Sequence, residues 1–265
     1  MPQSGQVLYI PHGGGPLPLL GDPLHEEMVD FLHTMRGELV RPSAIVVISA
    51  HWEEDVVTVT SGERPDLIYD YYGFPAESYE ISYPAPGAPD LAREINDSLR
   101  TTGLNSRLDS RRGFDHGLFV PLKMLYPEAD IPCLQVSLQR GLDPATHLRI
   151  GQALAPLMTR DILVLGSGYS FHNLPVLLRY RGDSVDPHNE AFEDWLNDTC
   201  CDATLSAAER DDRLLRWADA PHARYCHPRE EHLLPLHVCY GVKRQQATRL
   251  FNGRIIGKRT SAFLW

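Results

Sequence analysis

Apolar runs of strand length recur along this chain with helical periodicity between them, and that alternation limits the fold more than any other feature. The runs are Gln6–Ile10, Ala44–Ala50, Val56–Thr60, Pro132–Leu138 and Asp161–Gly166. Helical spacing of apolar residues occupies Asp22–Leu39, Pro89–Thr101, Val120–Tyr126 and Pro144–Met158. Strands that alternate with helices are the pattern of crossover units, so the expectation is an α/β fold with a central, largely parallel sheet flanked by helices. Further helical patterns at Pro187–Cys200, Ser206–Ala218 and Glu230–Gly241 are expected to pack on the same core. No internal repeat, low-complexity tract or linker breaks the pattern, and 265 residues lie within the reach of one core. Residues 1–265 are therefore read as a single domain.

Composition removes several functions. The 43% hydrophobic and 23% charged content are those of an ordinary globular chain. A formal charge of -10, from 35 acidic and 25 basic side chains, repels phosphate backbones, so nucleic acid is not an expected partner. The opening "MPQSGQVLYI" has no basic start, and no stretch approaches the roughly 20 apolar residues of a membrane span. A cytoplasmic protein without a membrane segment is expected. Five cysteines, odd in number and without CxxC spacing, fit free structural thiols in a reducing compartment.

Open α/β sheets bind ligands beyond the carboxyl ends of their strands. Here "QVLYI" runs into "PHGGGP" and delivers His12, "AIVVISA" runs into His51, and "DILVLGSG" runs into "YSFHNL" and His172. A single histidine is ordinarily a hydrogen-bonded structural or surface residue. Three at the ends of strands that share a rim favour a site, and neutral imidazole is the commonest protein metal ligand. Glycines 13, 14 and 15 beside His12, and Gly166 and Gly168 before His172, allow sharp turns and close approach. A fourth candidate lies in "HPREEHLLPLHV", where His227, Glu230, Glu231, His232 and His237 compete and spacing alone does not choose between Glu231 and His232. The stretch "YYGFPAESYEISYPAPGAP", Tyr71 to Pro89, reads as a long aromatic loop suited to a lid or wall.

The motifs "PHGGGP", "SAHW", "GFP", "YPAPG", "GFDHG", "GSGYSFHNL" and "PREEHLLPL", in this order, resemble the class III extradiol ring-cleavage dioxygenases, and most nearly their DOPA extradiol dioxygenase-like branch. They extend from residue 12 to about residue 241. The resemblance implies a single catalytic domain with a mononuclear non-haem Fe(II) site that takes a catechol and O2 and cleaves the ring beside the diol. By motif position it implies His12, His51 and His232 as metal ligands. His172 is implied as acid and base, in a place that in the close branch also approaches the metal. His116 is implied close to the substrate as a hydrogen-bond donor. A histidine of ordinary pKa near 6.5 suits proton transfer in both directions at neutral pH.

Two departures from the pattern stand out. Gly14 occupies a position where relatives commonly carry Ser or Thr, and His232 falls where a distant relative has a glutamate ligand. An all-imidazole set also resembles catalytic zinc sites, and zinc or oxidised iron is expected in aerobically purified protein, because the intrinsic affinity of Zn(II) exceeds that of Fe(II). The competing expectations are a zinc-dependent hydrolase built on the same imidazoles and a metal-binding scaffold without catalysis. Retention of both His116 and His172, which a metal store would not need, favours an enzyme.

Overall fold

Runs of Val, Ile and Leu too short for helices form a sheet of eight strands in a computed structural model that describes residues 5–180, 182 and 185–265. The strands in chain order are β1 (Gln6–Pro11), β2 (Ala44–Glu54), β3 (Val57–Thr60), β4 (Ser106–Asp109), β5 (Cys133–Gln139), β6 (Ile162–Gly168), β7 (Thr248–Ile255) and β8 (Lys258–Leu264). The helices are α1 (Glu26–Glu38), α2 (Pro89–Thr101), α3 (His116–Leu125), α4 (Pro144–Leu154), α5 (Leu174–Leu177), α6 (Pro187–Cys201), α7 (Ala207–Leu215), α8 (Ala223–Cys226) and α9 (Leu234–Lys243). Met1–Ser4, part of the N-terminal stretch considered above, lie outside the described residues. Among the described residues no helix is long and apolar enough to cross a membrane.

The sheet order is β4-β3-β5-β2-β6-β1-β8-β7. Its centre, β5-β2-β6-β1, is parallel, as the strand-helix alternation predicts. These strands read as unbroken apolar runs because helices cover both faces: every residue of β6 is buried, and so are the first seven of β2. Helix α3 packs on β2 and β6 with α1 against it, while α9 packs on β1, β2 and β6 with α4 against it.

The margins differ from expectation. Strand β3 runs antiparallel to β5, since only Asp55 and Val56 separate it from β2 and a parallel return needs a crossover of a dozen or more residues. At the other edge β7 and β8 form an antiparallel hairpin that pairs with β1 through β8. The third difference concerns His51. Strand β2 does not stop before it but runs to Glu54, and between the pairs Ile48–Val136 and Glu53–Leu138 four residues of β2 lie opposite the single Ser137. His51 thus sits on a bulge, a device that re-aims a side chain and recurs beside active sites.

Candidate metal centre

Parallel pairing of β1, β2 and β6 sets their carboxyl ends on one rim. His12 follows β1 directly, and its main-chain N–H donates to the Gly168 carbonyl at the end of β6 (3.2 Å). The bulge that carries His51 is clamped from α3. Ser49 Oγ donates to Asp115 Oδ1 (2.7 Å) and accepts from the His51 N–H (3.2 Å), while Arg112 pairs with the other Asp115 oxygen (3.0 Å) and stacks over Trp52. Gly117 is required here, because a Cβ at that position would stand 2.3 Å from Ser49 Oγ. His172 lies four residues beyond β6, with its N–H on the Cys226 carbonyl (2.9 Å). His232 lies in a turn two residues before α9 and not in the helix itself. Its carbonyl accepts from Tyr169 N–H (3.0 Å) and Tyr9 O–H (3.2 Å), and Gly168 passes so close that a Cβ there would lie 2.2 Å from that carbonyl oxygen.

Five of the seven histidines singled out from the sequence meet: His12, His51, His116, His172 and His232. The Nε2 atoms of His12 and His51 face each other at 2.9 Å. The His116 ring lies 3.9 Å from that of His51 and 5.4 Å from that of His12. The His232 ring lies 5.0 and 5.3 Å from those of His51 and His12, and it stacks on His172 at 3.3 Å. One nitrogen each from His12, His51 and His116 fall within 4.8 Å of one another, and a second such group joins His172, Glu231 and His232. Of the other candidates from the same stretch, His227 and His237 are buried and bonded to main-chain carbonyls away from the cluster, and Glu230 pairs with Arg224.

Two carboxylates hold the outer nitrogens of these rings. Glu231 Oε1 accepts from Nδ1 of His232 (3.0 Å) and faces Nδ1 of His172 (3.1 Å), while its other oxygen accepts from Arg229, which also grips Glu53. Burial alone would raise the Glu231 pKa, but its bonds to His172 and His232 outweigh that and keep the carboxyl well below the usual range. Asp70 Oδ1 accepts from both the main-chain N–H (3.0 Å) and Nδ1 (2.8 Å) of His116, and burial is again outweighed by these bonds, so its pKa is lowered. Glu231 entered the sequence reading only as a competing ligand, and Asp70 did not enter it, since no local pattern signals a partner 46 residues from His116.

Burial drives the His12 and His51 pKa values well below 6.5, assisted by the neighbouring imidazoles. Burial and His172 bring His232 down to about 3 against the opposing pull of Glu231. Neutral rings with free lone pairs are the form that binds metal. The Nε2 atoms of His12 and His51 turn toward one spot, 2.9 Å apart, where both could be offered to one cation. The donor set therefore fits a divalent transition metal held by imidazoles and oriented by outer carboxylates. The Glu231 group fits a cation less well, because Glu231 already occupies the two outer nitrogens and Arg229 stands beside it.

The family described as the catalytic LigB subunit of aromatic ring-opening dioxygenase matches residues 8–262. The chain belongs to this family. As an extradiol ring-opening dioxygenase it has relatives in fungi, plants and bacteria. It is 38% identical to "Dioxygenase tasH" of Hapsidospora irregularis, across 98% of this chain and 85% of that protein. It is 38% identical to the 4,5-DOPA dioxygenase extradiol of Beta vulgaris (89% and 86%) and 35% identical to that of Escherichia coli strain K12 (89% and 84%). A crystal structure of an uncharacterized protein from Escherichia coli K12 superposes with a TM-score of 0.80 at 29% identity, across 98% of this chain and 99% of the other.

The aromatic loop of this dioxygenase forms the wall beside His116. Tyr71 meets the His116 ring edge-on at 5.8 Å and contacts Phe74, Tyr79 and Phe119. Its hydroxyl donates to the Ser78 carbonyl (2.6 Å), and that of Tyr69 to the Ile81 carbonyl (2.7 Å), so the loop is tied to itself. Tyr72 alone among its tyrosines stands almost free, 91% exposed.

Proposed function

We propose that residues 1–265 act as a single catalytic domain, a cytoplasmic non-haem Fe(II)-dependent extradiol dioxygenase that opens the ring of a catechol with O2 to a ring-opened semialdehyde. The meeting of five imidazoles and two supporting carboxylates on the carboxyl rim of the sheet supports this reading. The beet and Escherichia coli relatives are named for DOPA, which is itself a catechol.

In this reading His12, His51 and His232 hold the metal. His232 is preferred to His116 because its main chain is bonded to Tyr9 of β1 and to Tyr169 beyond β6, the strands that deliver His12 and His172. His116 is bonded instead, through ring and main chain, to a carboxylate on a loop. Fe(II), when bound, supplies open positions for the diol oxygens and for O2. The chain's own residues manage protons. His172, with Nδ1 turned to the ionised Glu231, offers Nε2 as acceptor for a diol proton and returns that proton later. His116, with Nδ1 turned to Asp70, first accepts a hydrogen bond from the substrate and donates one only when protonated. Tyr71 and its aromatic neighbours keep water from the His116 side.

The test is anaerobic reconstitution with Fe(II), followed by a panel of catechols read by oxygen electrode and by the visible absorbance of ring-opened semialdehydes. Oxygen uptake matched by that absorbance is expected, with none from the Zn(II) form. Fully Fe(II)-loaded protein that consumes no oxygen with any catechol would overturn the proposal.

A further inference from the structure

The aromatic loop begins before Tyr71, in the stretch 68–75 that is neither helix nor strand, and Asp70 sits on it between Tyr69 and Tyr71, so no element of the sheet carries it. Its Oδ1 accepts twice from one residue, from the His116 main chain at 3.0 Å and from His116 Nδ1 at 2.8 Å. Its Oδ2 lies 3.8 Å from Nδ1 of His51, too far for a hydrogen bond. One carboxylate thus faces the outer nitrogens of two imidazoles whose rings are 3.9 Å apart.

An ionised carboxylate only accepts, so Nδ1 of His116 must carry a proton, and in the neutral ring Nε2 then keeps the lone pair. The opposite tautomer would set two lone pairs against each other at 2.8 Å. The loop itself is fixed where it meets α3. Ile68 N–H donates to the Phe114 carbonyl (2.8 Å) and Phe114 N–H to the Asp66 carbonyl (2.7 Å), two residues before His116. Seating of the loop and orientation of the His116 imidazole are therefore one event.

We infer that Asp70 is a positioning residue for ring opening: the aromatic loop delivers a carboxylate that selects the Nδ1–H tautomer of His116. Its effect on turnover rests on the dioxygenase reading, whereas its hold on the tautomer does not.

The test uses full-length Asp70→Asn and Asp70→Ala. Long-range proton–nitrogen NMR of the imidazoles, on metal-free protein at one mildly alkaline pH, reads the tautomer directly. The parent is expected to show His116 as Nδ1–H alone, and Asp70→Ala to show a large Nε2–H population. With Fe(II) and a catechol, Asp70→Asn is expected to lower kcat about 10-fold or more with a smaller change in KM, the usual effect of losing an outer-shell partner. In a His116→Gln background the same substitution should cost less than about 2-fold further, because both act through one ring. An unchanged His116 tautomer in both Asp70 variants, or a full independent loss in the His116→Gln background, would overturn the inference. A tautomer shift in a parent that opens no catechol would support the hold of Asp70 on His116 and overturn the dioxygenase reading instead.

Discussion

His172 and His232 stack face to face, centroids 3.3 Å apart and planes 17° from parallel, and they turn the same nitrogen toward the same oxygen of Glu231. A ring proposed to move protons and a ring proposed to hold metal are thereby oriented by one group. Glutamine at position 231 offers a neutral oxygen that serves one Nδ1–H well and leaves the other ring free to change tautomer. Glu231→Gln is expected to weaken metal binding about 10- to 100-fold with the fold intact. Calorimetric titration of metal into the apoprotein measures this, and parental affinity in the variant would remove Glu231 from its assigned role.

The same stack separates base from ligand. His172 is proposed to act beside the metal, so His172→Ala should retain most of the Fe(II) while turnover falls roughly 10²- to 10⁴-fold, the usual contribution of an acid–base residue. His51→Ala, which removes one of the two nitrogens that meet at 2.9 Å, should lose the metal itself. Metal analysis of the two folded variants decides. Equal loss of metal in both would make His172 a fourth ligand and leave His116 as the base.

How much of this was legible in the sequence depends on where each signal lies. Strand-end histidines are local events, a short apolar run followed by glycine and imidazole, and the rim geometry follows from parallel pairing. The bulge in β2 was not visible, because "SAHWEE" carries no sign that four residues would face Ser137. Asp70 was hidden for a stronger reason: its meaning arises only when a loop folds over a helix start distant in sequence. The β7–β8 hairpin escaped because β7 is an edge strand with mixed exposure and no clean alternation of apolar and polar residues.

Two glycines of the site motifs should respond very unequally to substitution. A Cβ at Gly117 would lie 2.3 Å from Ser49 Oγ, which is held between Asp115 and the His51 N–H, so Gly117→Ala must displace the bulge. Reduced metal occupancy and at least about 10-fold slower turnover are expected. Gly14 has an ordinary backbone conformation, and its nearest neighbour to an added Cβ is His25 Nε2 at 3.4 Å. Gly14→Ser should change stability by no more than about 0.5 kcal/mol. Thermal unfolding with metal analysis compares the two, and a larger effect at Gly14 than at Gly117 would contradict the account.

A final prediction concerns stability and lies away from the site. Glu193 is wholly buried on α6, where Oε2 accepts from Ser261 Oγ (2.6 Å) and Oε1 has no hydrogen-bond partner among the described residues. Burial pushes its pKa up to about 7, against the opposing pull of Ser170, Ser261 and Arg259. In the unfolded chain a glutamate releases its proton near pH 4.3. Below about pH 4.3 both states hold the proton and the pH has no leverage through this residue. Between there and about pH 7 the folded state alone keeps it, so the unfolded state binds fewer protons and stability falls as pH rises, by about 4 kcal/mol in total. Above that range both states are ionised and the contribution is flat. Glu193→Gln carries no titrating proton, so its stability relative to the parent should improve as pH rises through this window. Urea unfolding of parent and variant from about pH 5 to pH 8 reads the difference. Parallel curves for the two proteins would show that Glu193 enters the fold already ionised, and that the buried carboxylate has a partner in solution that its Oε1 lacks here.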